Sequence, residues 1–238
     1  MNEADKALWD FHETQNRSSF VLARPRLDYL KKQVTKNNTR LRVLDIGIGD
    51  GYLLEILSGT CVVSGMDLSE SNVKLTLDEL RKKHISADIR IGSIENIPFE
   101  DCMFDVVIAS DVLEHLETTT LKNGVGEIRR VLKKGGKFVG TVPADEQLRD
   151  SLCYCPKCGY AFHRWGHKQS FNPQQIQDLF SLWGSQPEKI KRVTFFVNQQ
   201  TEKKLINNIN YHIVKTLFVF LRKIIAPQWW YYFQIKKD

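Results

Sequence analysis

The chain has 238 residues, of which 42% are hydrophobic and 26% are charged, a balance typical of a globular domain that excludes a wholly disordered chain or a polytopic membrane protein. Its formal net charge of +6 arises from residues 203–238, which hold seven basic residues and one acidic residue. Residues 1–202 are therefore neutral, which argues against a broad nucleic-acid-binding surface.

The N-terminal segment Met1–Asp5 carries acidic residues. A signal peptide would instead begin with basic residues followed by an apolar run. We therefore expect a cytoplasmic protein.

Helix and strand patterns alternate along the chain. Helical spacing of apolar residues occurs at 20–34, 52–57, 72–84, 121–132 and 173–182. Runs rich in branched residues predict strands at 42–46, 61–66, 88–92, 104–109, 137–142, 190–197 and 228–236, with a helix-ending turn at 133–136. Apolar strands separated by helices predict a parallel sheet with both faces covered. We predict one domain over 1–238, with an insert at 143–170 and a basic helix plus final strand within 203–238.

A glycine-rich segment, Asp45–Gly51, joins the first predicted strand to a helix. Glycines allow a tight turn and a close approach of backbone to ligand. The spacing differs from that of the Gly-x-Gly-x-x-Gly loops that bind pyrophosphate, and an acidic residue comes first, which suits a ligand with an ammonium and a sulfonium group. Asp67, at the end of the second strand, could accept hydrogen bonds from both hydroxyls of a ribose. The alternative is a structural turn with a surface Asp67.

Five segments in this order, 43–51, 65–69, 94–99, 104–116 and 131–136, resemble the class I S-adenosylmethionine-dependent methyltransferases of the small-molecule type. The resemblance implies a Rossmann-like α/β fold with a seven-stranded, mostly parallel sheet, an antiparallel last strand and helices on both faces. It implies S-adenosylmethionine as cofactor, bound by Asp45, Gly47, Gly49, Gly51, Asp67, Leu68, Ser93, Ile94, Ser110 and Asp111. Ser93 stands where such enzymes often have an acid, so a weaker bond to the adenine amine is expected.

Methyl transfer to a hydroxyl needs alignment and a base. The candidates are Glu114 and His115 after the fourth strand, and His163 and His167 in the insert. The resemblance implies that the segment His167–Phe171 lies over the acceptor pocket. The alternative for His115 is a packing or capping role.

The insert also contains Cys155 and Cys158, followed by His163 and His167 in the spacing Cys-x2-Cys-x4-His-x3-His. Four such ligands in one short loop predict a structural, tetrahedral zinc site. Cys153 could replace one histidine, and the alternative is free thiols beside unrelated histidines. If His167 binds zinc, His163 or Glu114 would have to serve as the base.

The basic segment 203–226 has a helical apolar stripe and precedes the aromatic run 229–233. The apolar part of this segment is too short to span a bilayer. Its basic residues and the aromatic run instead predict peripheral contact with an anionic membrane. The alternative is a packed helix leading to the last strand, its apolar face covered by the insert or by the partner of a homodimer.

Together these patterns predict a methyltransferase that O-methylates a sugar or a glycolipid or polysaccharide precursor. The alternatives are methylation of a soluble metabolite such as a quinone or an amino sugar, and a zinc-containing nucleic-acid-binding protein with a vestigial cofactor pocket. A nicotinamide oxidoreductase is disfavoured by the glycine spacing.

Overall fold

The computed structural model describes residues 18–36, 40–184, 186–195 and 229–238. Its helices are α1 (Ser18–Thr35), α2 (Tyr52–Ser58), α3 (Glu70–Lys82), α4 (Thr118–Val131) and α5 (Pro173–Ser181), with short 3-10 helices at Leu113–His115 and Leu148–Ser151. Its strands are β1 (Arg42–Ile46), β2 (Val62–Asp67), β3 (Asp88–Ile91), β4 (Phe104–Ser110), β5 (Leu132–Pro143), β6 (Leu152–Tyr154), β7 (Ala161–His163), β8 (Lys189–Val193) and β9 (Trp230–Lys236).

Seven strands form one sheet in the order β3-β2-β1-β4-β5-β9-β8. Strands β1 to β5 pair in parallel, and β9 pairs antiparallel with both β5 and β8. This arrangement confirms the predicted seven-stranded Rossmann-like sheet with an antiparallel last strand. Residues 143–170, predicted as an insert, contain β6 and β7, which pair as a separate hairpin.

Two predictions about strand ends were wrong. The eighth strand ends at Val193, not at 197, and the predicted turn at 133–136 lies within β5, which begins at Leu132. Leu132 pairs with Phe104, and the register then shifts before Val106 pairs with Lys137. Gly135, with φ 74°, lies in this irregular part of the strand. Gly135, predicted to follow the end of a helix, instead provides the positive φ of an irregular, bulge-like part of β5.

Both faces of the sheet are covered by helices, as predicted. Successive residues of β1 point to opposite sides: Leu44 joins a core completed by α4 and α5, whereas Val43 joins a core completed by α1, α2 and α3. This alternation is the period of two that a strand requires. None of the helices in the described part of the chain has the length and apolar character that crossing a bilayer requires.

The topology brings the loops after β1, β2, β4 and β5 to one edge of the sheet. Strands β1 and β4 are neighbours in parallel register, with Ile46 beside Ala109, so the glycine loop lies next to the segment that follows β4. This gap between β1 and β4 is where the strand order reverses, the usual place for a ligand in such sheets. The predicted helix at 203–226 falls outside the described residues.

Candidate functional site

A cavity of about 940 Å³ opens at this edge of the sheet. Its walls come from the segments that follow β1, β2, β3, β4, β5 and β7, from helix α1 and from Trp229 and Trp230. Nine of the ten predicted cofactor residues line it: Asp45, Gly47, Gly49, Asp67, Leu68, Ser93, Ile94, Ser110 and Asp111.

The glycine loop has the left-handed backbone that its composition predicts. Gly47 and Gly49 have φ values of 76° and 53°, and a Cβ on Gly47 would lie 2.8 Å from a methyl group of Val112. The Gly47 N–H donates to the Met66 carbonyl at 2.9 Å, which joins the loop to β2. A side chain at Gly47 or Gly49 would therefore strain the backbone at the cavity wall.

Gly51 does not line the cavity, which corrects its predicted role as a cofactor contact. It is the N-cap residue of α2, with φ 77°, and a Cβ there would lie 2.5 Å from the Thr76 methyl group. This glycine is required by packing between α2 and α3. The motif alone could not separate a glycine that faces a ligand from one that faces a helix.

Two carboxylates flank the glycine loop, of which Asp45 is buried and Asp67 is partly buried. Asp67 accepts hydrogen bonds from the Ser69 N–H at 3.0 Å and from the Asn72 amide at 3.1 Å, and burial raises its pKa. Burial raises the pKa of Asp45 well above its usual range, and the negative charges of Asp67 and Asp50 raise it further. A positively charged ligand would relieve this repulsion, whereas a pyrophosphate would add to it. These carboxylates therefore fit the positively charged ammonium and sulfonium groups of S-adenosylmethionine.

Asp111 and Ser110 form the cavity floor at the end of β4. The Asp111 carboxylate lies 2.8 Å from an Arg26 nitrogen and accepts a hydrogen bond from the Trp230 indole N–H at 3.2 Å. Arg26 also donates to the Ser110 hydroxyl at 3.0 Å. Burial raises the pKa of Asp111, and the Arg26 charge opposes that rise. Arg26 was not predicted as a site residue, because it lies in an ordinary helical pattern, and Trp230 was predicted to contact lipid or to lie in the last strand.

Of the four predicted catalytic residues, His115 and His167 line the cavity, but Glu114 and His163 do not. Burial and the neighbouring His167 lower the pKa of His115 to about 3, and its Nδ1 lies 3.3 Å from the Gly166 carbonyl. His115 is therefore neutral and directed at backbone. Glu114 is fully buried, and its carboxyl oxygens have no hydrogen-bond partner among the described residues. Burial and the charge of Asp111 raise the Glu114 pKa well above its usual range.

His163 and His167 meet at a carboxylate that sequence analysis did not single out. One Glu146 oxygen lies 2.5 Å from His167 Nδ1, and the other lies 3.4 Å from His163 Nε2. Glu146 follows β5 and also lines the cavity. No local signal distinguishes this acid, because its partners lie on another segment.

The predicted zinc ligands Cys155, Cys158, His163 and His167 are not assembled. The groups of metal-capable side chains among the described residues are Glu114–His115–His167 and Glu146–His163–His167, and neither contains a cysteine. His163 is the last residue of β7 and pairs with Leu152, so the extended strand separates it from the Cys155–Cys158 turn. The cysteines contact each other, and the Cys158 backbone and thiol lower the pKa of Cys155. These four side chains do not fit a tetrahedral zinc ion.

Comparison with known proteins agrees with the geometry. Residues 44–140 match the model of a family described as a methyltransferase domain. The chain is 33% identical over 147 residues to a protein of Mycolicibacterium smegmatis named "Probable S-adenosylmethionine-dependent methyltransferase", covering 61% of this chain and 52% of that protein. It is 40% identical over 101 residues to a ubiquinone biosynthesis O-methyltransferase of Bradyrhizobium, covering 42% of this chain and 38% of that protein.

Among solved structures, phosphoethanolamine N-methyltransferase 2 of Haemonchus contortus, in complex with S-adenosyl-L-methionine, is similar in fold. Its TM-score is 0.64 at 18% identity, over 97% of this chain and 60% of that chain. In the longest of these matches, the chain spans about half the length of the curated relative. The match over 44–140 contains the glycine loop, Asp67 and the end of β4, and it stops before Glu146 and His167.

Proposed function

We propose that this chain is an S-adenosylmethionine-dependent methyltransferase that methylates a hydroxyl oxygen of a small acceptor. The observation that carries the proposal is one continuous cavity with two chemically different ends. An acidic glycine loop with Asp67 borders one part, and the imidazole of His167 lines the same space. The methyltransferase-domain match over residues 44–140 supports the use of this cofactor.

For the acceptor we propose a phenolic ring of the quinone-precursor type. Trp165, Trp229 and Trp230 line the cavity and make part of its wall aromatic, which suits a flat ring. Several relatives carry the name ubiquinone biosynthesis O-methyltransferase, which favours the quinone alternative of the sequence analysis. The sugar or glycolipid acceptor that the sequence analysis preferred receives no support from the comparisons.

The mechanism follows from the residues around the cavity. When bound, S-adenosylmethionine supplies a methyl group on a positively charged sulfur. The Asp67 carboxylate, held by Ser69 and Asn72, would accept hydrogen bonds from the ribose hydroxyls and so orient the cofactor. His167 accepts the acceptor hydroxyl proton as the new O–CH3 bond forms. Since a phenol has a pKa of about 10, it is mostly protonated at neutral pH, and one positioned base contributes about 10²- to 10⁴-fold in rate.

Two measurements test this function. Titration calorimetry should show heat with S-adenosylmethionine and with S-adenosylhomocysteine, and none with NAD. Transfer of labelled methyl should occur to a catechol panel and not to a matched panel of sugars and amino sugars. We expect His167→Asn to lower kcat by about 10²-fold or more while the cofactor still binds. Absence of heat with both sulfur compounds would overturn the proposal, and transfer to sugars alone would overturn the acceptor class.

Peripheral membrane contact through residues 203–238 stays a prediction. The measurement is co-sedimentation with vesicles of phosphatidylglycerol and phosphatidylcholine at rising salt. Binding that weakens with salt would support contact through basic residues. No binding at low salt would leave the packed-helix alternative.

A further inference from the structure

Glu146 lies between two imidazole rings and contacts both. Its side chain is 19% exposed, and those of His163 and His167 are 5% and 10% exposed. Its backbone carbonyl accepts a hydrogen bond from the Ser170 hydroxyl at 2.7 Å, which ties the segment after β5 to the segment after His167. The two imidazole contacts position the carboxylate, and this hydrogen bond positions the backbone that carries it.

The hydrogen bonds of His163 determine which of its ring nitrogens carries the proton. Its Nδ1 accepts two backbone N–H groups, from Trp165 at 3.3 Å and from His167 at 3.0 Å. A nitrogen that accepts hydrogen bonds has no proton, so in the neutral ring the proton is on Nε2. That N–H faces one Glu146 oxygen at 3.4 Å. His163 therefore has no lone pair to offer the cavity, which excludes it as the base.

The second Glu146 oxygen determines the tautomer of His167. This carboxylate oxygen lies 2.5 Å from His167 Nδ1, so Nδ1 is the donor and Nε2 keeps its lone pair. The ring is stacked on His163, with centroids 4.6 Å apart and planes 22° apart, and it meets His115 edge-on at 4.7 Å. These contacts restrict the rotation of the His167 ring at the cavity wall.

The neighbouring main chain is anchored as well. The Lys168 and Gln169 N–H groups both donate to the Glu114 carbonyl, at 2.7 Å and 2.9 Å. The loop that carries His167 is thereby joined to the 3-10 helix after β4, beside the cavity floor. Backbone, ring stacking and carboxylate all hold the imidazole in one orientation.

We propose that Glu146 and His163 are positioning residues that hold His167 with Nε2 unprotonated toward the acceptor. The inference deepens the proposed function and rests on it. One oxygen of Glu146 lies 3.4 Å from His163 Nε2, and the other accepts the His167 N–H.

The proton balance follows directly. The hydroxyl proton of the acceptor passes to His167 Nε2 while the O–CH3 bond forms and the S–CH3 bond breaks, which leaves neutral S-adenosylhomocysteine. The resulting imidazolium has a proton on each nitrogen, and the carboxylate of Glu146 stabilises it through Nδ1 without taking the proton. The imidazolium returns its proton to solvent after the product leaves.

The decisive variant is Glu146→Gln. A glutamine has one carbonyl oxygen for two imidazole N–H donors, so either His163 or His167 loses its acceptor. We expect kcat for a catechol probe to fall about 10²-fold or more, with the KM for S-adenosylmethionine within about twofold of wild type. Glu146→Asp should recover part of kcat. Glu79→Gln, which removes an acid that pairs with Lys82 on α3, is the charge-matched control and should change neither parameter.

A spectroscopic measurement does not depend on turnover. In a two-dimensional proton–nitrogen spectrum of the full chain, neutral His167 should show its proton on Nδ1, and Glu146→Gln should shift the population toward Nε2. A wild-type His167 protonated on Nε2, or an unchanged tautomer and kcat in Glu146→Gln, would overturn the inference. Calorimetry without heat from S-adenosylmethionine would instead overturn the proposed function, so the two failures can be told apart.

Discussion

Arg26 and Asp111 form an ion pair at 2.8 Å that fastens helix α1 to the cavity floor. The Arg26 side chain is 10% exposed and that of Asp111 is 23% exposed, so neither charge is well hydrated. The Arg26 guanidinium also lies over the Trp230 ring, 5.3 Å from its centroid. This pair links the first described helix, the end of β4 and the last strand at one point.

Removing Arg26 should therefore destabilise the fold. We expect Arg26→Met to lower the free energy of unfolding by about 2–4 kcal/mol, because it leaves the Asp111 charge without its partner. The double variant with Asp111→Asn should recover part of the loss. Urea denaturation at pH 7 measures both. The control is Arg24→Met. In the wild type, an Arg24 nitrogen lies 3.7 Å from Asp50 and the Arg24 side chain is 46% exposed, so this variant should lower the free energy of unfolding by less than about 1 kcal/mol. Additive losses in the double variant would contradict the pairing.

The affinity for S-adenosylmethionine should increase with pH. The pKa of Asp45 is raised well above its usual range by burial and by the charges of Asp67 and Asp50. A cation bound nearby favours the ionised form, so binding should release protons where Asp45 is partly protonated. Calorimetry in buffers of different ionisation enthalpy measures that release. The effect should be smaller for S-adenosylhomocysteine, which lacks the sulfonium charge.

Asp45→Asn should remove most of this pH dependence, whereas Asp78→Asn on the outer surface of α3 should leave it unchanged. Equal proton release by both sulfur compounds would show that the carboxylate does not respond to the sulfonium.

The stability of the protein at acid pH should depend on His115. Its pKa is about 3 in the folded protein and about 6.5 in an unfolded chain, so the unfolded chain binds more protons between these values. His115 therefore lowers the free energy of unfolding as pH falls from about 6.5 toward 3, by at most about 1.4 kcal/mol per pH unit. His115→Asn, which keeps an N–H for the Gly166 carbonyl, should flatten this decline.

The measurement is urea denaturation of both proteins at several pH values between 7 and 4. The control is His84→Asn, at an exposed position whose φ of 57° asparagine tolerates. It should follow the wild-type curve. A His115→Asn curve parallel to wild type would contradict the shifted pKa.

Gly51→Ala should destabilise the protein through two separable costs. The left-handed φ of 77° costs about 1 kcal/mol for a residue with a Cβ, and the new methyl group would lie 2.5 Å from the Thr76 methyl group. We expect a total loss of about 2–3 kcal/mol by urea denaturation. Adding Thr76→Ser removes that methyl and should recover only the steric part.

The matched control is Gly59→Ala, at the end of α2. Gly59 has φ −68°, and a Cβ there would meet nothing within 4 Å, so its effect should be close to zero. Full recovery in the Gly51→Ala, Thr76→Ser double variant would show that backbone strain contributes nothing.

The order of strands and helices could be predicted because its signals are local. Apolar periodicity places β1 within 42–46 and β4 from Phe104, and parallel strands then bring their carboxyl ends to one edge. The glycine loop follows β1 and Asp67 ends β2, so their place in the cavity followed from the same local reasoning. The exact helix ends could not be predicted in this way. Helix α3 begins at Glu70, directly after its N-cap Ser69 and two residues before the helix predicted from the apolar pattern.

The predicted zinc site receives no support from the structure, for a physical reason. Ligand type and spacing were suitable, but spacing assumes a compact loop, and β7 is extended between the cysteines and His163. The same histidines instead contact Glu146, which lies before β6, whereas His163 ends β7 and His167 follows it. A contact between a carboxylate and an imidazole on separate segments of the chain produces no pattern that a single sequence shows.

The amino-acid sequence alone determined the class of fold, the cradle for a positively charged cofactor and the residue types available for catalysis, because strand periodicity and glycine conformation act over a few neighbouring positions. The tertiary structure alone decided which histidines contact Glu146, which arginine pairs with Asp111 and which glycine packs against a helix instead of lining the cavity. Those choices depend on hydrogen bonds and contacts between segments far apart in the chain, and only folding brings their atoms within a few ångströms.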